Sequence, residues 1–144
     1  YNAFYGFHDK TKRLQWDTLI SDIQNVNGEK SLSVPSVGSI SWQRGKGVFK
    51  KIRTASLMIQ VDDKKLISAG KQVHPAFPFE EWAASMKNVQ TSENSSDLVY
   101  TYNFKVRRYL QFIPFAGYVV EYVFRTQTQK RFKAMSNWLQ NQRN

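Results

Sequence analysis

The chain has 144 residues, 41% of them apolar and 15% aromatic, which is too rich in core-forming side chains for a disordered segment and fits one domain spanning 1–144. It contains no cysteine, which excludes disulfides, thiolate catalysis and thiolate-held zinc, and its longest apolar runs fall far short of a membrane-spanning helix. A net charge of +10 points toward an anionic partner, yet the basic residues are scattered, no helix carries an unbroken basic face and no nucleic-acid-binding motif is present.

Residues 2–16 read as two short helical turns. Phe4 and Phe7 share one face, and Asp9 is placed to cap the piece that carries Leu14 and Trp16. The period then changes to two. LISDIQNV (19–26) predicts a strand ending at the hairpin dipeptide Asn27-Gly28, and VGSISWQ (37–43) predicts another, stopped by RGKG (44–47). In TASLMIQV (54–61), Ala55, Leu57, Ile59 and Val61 alternate with Thr54, Ser56 and Gln60, which predicts that the apolar set faces the interior. A turn at Asp62–Lys65 leads into a strand over 66–73, closed by PAFPF (75–79). The next strand, 80–90, alternates Trp82, Ala84 and Met86 against Glu81, Ser85 and Lys87. The polar run SENSSD (92–97) delivers the chain to LVYTYNFKV (98–106), where Leu98, Tyr100, Tyr102, Phe104 and Val106 share one face. Connections this short between alternating strands predict an antiparallel meander of at least six strands with one covered face. Finally Val120, Phe124, Thr128, Phe132, Met135 and Leu139 recur at spacings of three and four, the stripe of one long helix, and Pro114 suits its start.

The order of these elements resembles the START-like, helix-grip superfamily, which includes the polyketide cyclase/dehydrase and lipid-transport families and the birch-pollen-allergen fold. The resemblance runs from about Phe4 to Leu139. It is carried by RLQWDTLI (13–20), by FEEWAASMKNV (79–89) followed by LVYTYNF (98–104), and by the closing amphipathic helix. It implies an α+β fold: a curved antiparallel sheet of six or seven strands wrapped around the long C-terminal helix, two short N-terminal helices, and a cavity between sheet and helix. The family carries a strand ahead of the first helix, whereas this chain begins at that helix. Either residues precede Tyr1 or the sheet is one strand smaller, with an edge to cover.

A cavity explains the two phenols on the 98–106 strand, because a buried hydroxyl without a partner costs about 1–3 kcal/mol and a dry aliphatic core supplies none. The expected wall is Leu57, Ile59, Trp82, Met86, Tyr100, Tyr102, Phe104, Val120 and Phe124; the plain alternative is that these side chains simply pack together. In a meander, alternate connections meet at one end. Phe49, Lys50, Phe77, Phe79 and Phe112 are therefore expected at a cavity mouth or an anionic membrane surface. For catalysis the material is thin: His74, Tyr100 and Tyr102 are the candidates, and no nucleophile triad, metal-ligand spacing or phosphate loop is present. No metal and no cofactor is expected. The resemblance implies binding, with or without transport, of a hydrophobic or amphipathic small molecule or lipid. A polyketide cyclase/dehydratase using cavity Tyr and His is the alternative, and a basic RNA- or ribosome-associated module is a second. No targeting segment is legible, a cytoplasmic location is the default expectation, and a chain that starts without Met leaves an upstream leader open.

Overall fold

The computed structural model describes residues 3–26 and 35–142; the Asn27-Gly28 hairpin dipeptide lies outside them. Two short helices come first, α1 (Ala3–His8) and α2 (Lys10–Trp16). Asp9 caps α2 as its residue type suggests: Oδ1 accepts from the Thr11 and Lys12 amides at 3.0 and 3.2 Å, an arrangement worth about 1 kcal/mol. Six strands follow, β1 (Ile20–Asn25), β2 (Ile40–Gly45), β3 (Arg53–Asp62), β4 (Ile67–His74), β5 (Phe79–Ser92) and β6 (Ser95–Val106). Their order in the sheet is their order in the chain and every pairing is antiparallel, so β1 and β6 form the two edges. Register shifts interrupt β1–β2, β3–β4 and β5–β6, and each such bulge bends its strand and adds twist, which curves the sheet. The β2–β3 connection is tight: a Cβ at Gly45 would run into the carbonyl of Phe49, so only glycine fits.

The last element is α3 (Ala116–Asn141), 26 residues and therefore about 39 Å long. It begins two residues after Pro114, because Phe115, at the cap position, turns the chain with φ of +63°. Its buried residues, Thr128, Arg131 and Met135, run from its midpoint toward its C-terminus. There Met135 packs with Ala3 and Trp16, and Phe7, Leu98, Phe132, Trp138 and Leu139 close around them. The ring nitrogens of Trp16 and Trp138 donate to the Gly6 carbonyl at 2.9 Å and, across from α3 to α2, to Gln15 Oε1 at 3.1 Å. Among the described residues no helix is long and apolar enough to cross a membrane.

One polar group ties this core together. The Asp17 carboxylate is fully buried at the end of α2, where Oδ1 accepts from the Leu19 amide and from Arg131 Nε, and Oδ2 accepts from Arg131 Nη2 and Arg13 Nε. Burial pushes the carboxyl up, but Arg131 and Arg13 outweigh it and hold the group at about 2. The stability it contributes is complete above the free carboxyl value of 3.8 and is lost as pH falls toward 2. Asp17→Asn leaves two buried guanidiniums facing no charge, and is expected to destabilise the fold by about 3–5 kcal/mol at neutral pH in urea unfolding.

Candidate functional site

Between the concave face of the sheet and α3 lies a cavity of about 190 Å³. Its strand floor is more polar than the sequence pattern implies. Ser41 and Gln43 of β2, Ser56 of β3, and Ser68 and Gln72 of β4 line it, together with Asn25 of β1. The apolar wall comes from Leu57, Met58, Trp82, Ala84, Met86 and Phe124. Gly70 and Ala84, directly paired across β4 and β5, leave the space open because neither carries a side chain beyond Cβ. One end is cationic, with Lys10, Arg13 and Arg131 on the lining and no Asp or Glu among the lining residues.

Of the expected wall, the structure brings together Leu57, Trp82, Met86, Tyr100 and Phe124 around this cavity. Ile59 is not among them: it sits at the bulge between Met58 and Gln60 and is 48% exposed. The expectation that Ser56 faces away from the interior is likewise corrected. Register shifts at both ends of the segment break strict alternation, and Ser56, Leu57 and Met58 all reach the wall. Tyr102, Phe104 and Val120 lie outside the lining. Tyr102 sets its ring edge-on to Phe124 at 4.7 Å, and Phe104 packs against Phe79 at 5.3 Å. Tyr100 does face the cavity, with its ring 5.0 Å from Phe132; burial raises its phenol, which stays protonated at neutral pH although Arg131 and Arg13 pull the other way.

The expected mouth residues also separate. Phe77 and Phe112 are exposed and so is Lys50, but Phe49 is half-buried against Gly45. Phe79 turns inward, edge-on to Phe104 and Phe124 at 5.3 and 5.5 Å. His74 is not in the cavity. The pairing of Ala55 with both Trp42 and His74 puts the three on the opposite, outer face, where the Trp42 and His74 rings lie 5.3 Å apart beside Asp22, Arg44 and Arg53. A catalytic partnership of His74 with Tyr100 is therefore not assembled.

The histidine on the cavity is His8, whose Nε2 lies 2.8 Å from Ser68 Oγ in a hydrogen bond. Burial, with the Arg13 charge, lowers its ring to about 3. His8, Arg13 and Arg131 were not legible as site residues. The available signal was Arg131 itself, a charge at the spacing of the apolar stripe between Thr128 and Met135. Among the described residues no group of three or more His, Asp or Glu side chains is placed to hold a metal ion.

No family model matches the sequence, and no curated protein matches it. Solved structures do. An uncharacterized protein from Bacillus thuringiensis superposes with a TM-score of 0.67 at 12% identity, over 95% of this chain and 88% of that one. Ara h 8.0201 gives 0.66 at 11%, over 96% and 88%. Norcoclaurine synthase from Thalictrum flavum, in complex with dopamine and hydroxybenzaldehyde, gives 0.63 at 11%, over 96% and 79%. At such identities the likeness is one of fold.

His8 gives the cavity a pH signature. Unfolded, its ring takes up a proton below about 6.5, whereas folded it resists protonation down to about 3, so stability falls as pH drops through that interval. His8→Gln is expected to flatten the decline of the melting temperature between these limits while leaving the value at pH 8 within a few degrees of the parent.

Proposed function

Taking the chain as a START-like, helix-grip domain, we propose that it binds one small amphipathic molecule in the cavity between sheet and α3. One observation carries this reading. Gln72 Oε1 and Trp82 Nε1, an acceptor and a donor on two cavity-lining side chains, are buried with no hydrogen-bond partner among the described residues. Each buried polar atom left so costs about 1–3 kcal/mol. A ligand carrying a donor and an acceptor restores both bonds, and its apolar body rests on Met86 and Phe124. The serine and glutamine floor favours such a molecule over a plain hydrocarbon chain. A volume of about 190 Å³ equals about six water molecules and lies below the ~300–1,000 Å³ of drug-sized sites, so the ligand is the size of one or two rings. The Thalictrum flavum protein of the same fold holds dopamine and hydroxybenzaldehyde, both single-ring compounds.

Filling the space tests this. Ala84→Trp places an indole in the cavity. Native mass spectrometry of gently purified protein is expected to show a small-molecule adduct on the parent chain and none on the variant. An adduct retained by Ala84→Trp, or none on the parent, overturns the reading.

A separate observation supports docking on an anionic membrane as a second property. Arg107 donates its amide to the Pro78 carbonyl at 3.0 Å, which holds the 75–79 loop against the start of the segment that leads to α3. On that segment Phe112, Phe115 and Tyr118 are 81%, 75% and 76% exposed, and Tyr109, Ile113, Val119 and Tyr122 are exposed with them. Phe115 also holds a left-handed backbone that costs a non-glycine residue about 1 kcal/mol or more. Scattered single apolar residues need no explanation, but a run of this kind marks an interaction surface. Exposed Arg108 on the same segment, and Lys46, Lys50 and Lys51 on the β2–β3 turn at the same end of the meander, supply the charge that anionic headgroups attract. Phe112→Ser with Phe115→Ser is expected to weaken sedimentation with phosphatidylserine-containing vesicles about tenfold or more. Binding unchanged from the parent removes the docking reading and leaves the cavity reading intact.

A further inference from the structure

The cationic end of the cavity contains more positive charge than the protein balances. Arg13 and Arg131, 9% and 8% exposed, share the single carboxylate of Asp17. Arg131 takes most of it, with Nε to Oδ1 at 3.0 Å and Nη2 to Oδ2 at 2.6 Å, while Arg13 makes one bond, Nε to Oδ2 at 3.0 Å. The terminal nitrogens of Arg13 bond to no described residue, and its guanidinium lies over the Phe7 ring at 4.3 Å. Both arginines line the cavity, Lys10 lines it too, and no carboxylate does. Two largely buried guanidiniums against one carboxylate leave one positive charge without a protein anion, at the wall of a cavity that can admit one.

We propose that the cavity ligand carries a single carboxylate, received by the free fork of Arg13 beside the Arg131–Asp17 pair. A guanidinium presents parallel donors that fit a planar carboxylate, and one negative charge matches the excess of the two buried arginines over Asp17, with half-buried Lys10 adding to the same field. The protonated Tyr100 phenol, on the same wall, is a further donor to it. The unequal sharing of Asp17 has its electrostatic counterpart: Arg13 is lowered, by burial above all and by Arg131, whereas Arg131 is raised by Asp17 against the same burial. Arg13 is thus the cation that an incoming anion relieves. The bound acid lies with its charge toward α1 and α2 and its ring toward Trp82, Met86 and Phe124.

This inference rests on the cavity reading and deepens it, and an isosteric pair of probes separates the two. 2-Naphthoate and 2-naphthamide share shape and differ in charge. Isothermal titration at about 0.15 M salt, where exposed charges are largely screened, is expected to show naphthoate binding at least tenfold more tightly than naphthamide. Arg13→Gln removes the surplus while leaving Asp17 and Arg131 as a one-to-one pair, and is expected to bring the two affinities to within about twofold of each other, naphthoate losing more than naphthamide. Arg13→Lys keeps the charge and loses the fork, and is expected to retain a preference of a few fold, so the inference stays testable if the glutamine variant does not fold. Equal binding of the two probes by the parent overturns the carboxylate and spares the cavity reading. A naphthoate preference undiminished in Arg13→Gln or Arg13→Lys overturns the role of Arg13. Binding of neither probe by the parent overturns both.

Discussion

The structure depends on a carboxylate that has no access to water. Asp17 stands where α2 ends and β1 is about to begin, and it holds the Leu19 amide of the outgoing chain as well as two arginines. Through Arg131 it fixes the rotation of α3, a helix 114 residues further along, so that Phe132 meets Phe7 and Met135 meets Trp16. Hydrophobic burial gives this core its energy but little orientation, since apolar contacts are non-directional. The three-way charge contact supplies direction. It also decides where the cavity becomes cationic, because the same guanidiniums that anchor α3 form the cavity's end wall.

The cavity follows from how the sheet is built. A sheet presenting Leu, Ile and Val on its concave face would close on α3 and exclude everything else. Here that face carries serines, glutamines and an asparagine from β1 to β4, and small residues where β4 meets β5. The bulky aromatics concentrate on β5, β6 and α3, where Phe79, Trp82, Tyr102 and Phe104 all approach Phe124. The aromatic side packs, the polar side stands off, and the space between them is asymmetric in chemistry.

Much of this architecture was legible in the sequence. Period two and period 3.6 marked the strands and the long helix, because those periods follow directly from backbone geometry. The Asp9 cap was visible because capping acts over two or three residues. Trp82, Met86, Tyr100 and Phe124 could be placed on the inner face from alternation and stripe, while the cavity there was implied by the resemblance. What failed was alternation across bulges: one extra residue sends Ile59 out and lets Ser56 in, and nothing in TASLMIQV announces it. His74 failed for a related reason, since its face is set by cross-strand register with Ala55 and Trp42. Arg131 was hidden because its partner is remote in the chain, and a charge on an apolar stripe reads locally as an irregularity.

The two halves of α3 are held very differently. From Thr128 onward the helix has buried residues, the Asp17 contact and the cluster around Met135; before it, no residue is buried and Phe124 is the main inward anchor. Local stability follows such differences in contact, so the leading turns have less to hold them than the trailing turns. The leading turns therefore answer mainly to Phe124 and to solvent, while the trailing turns answer to the charge contact at Asp17.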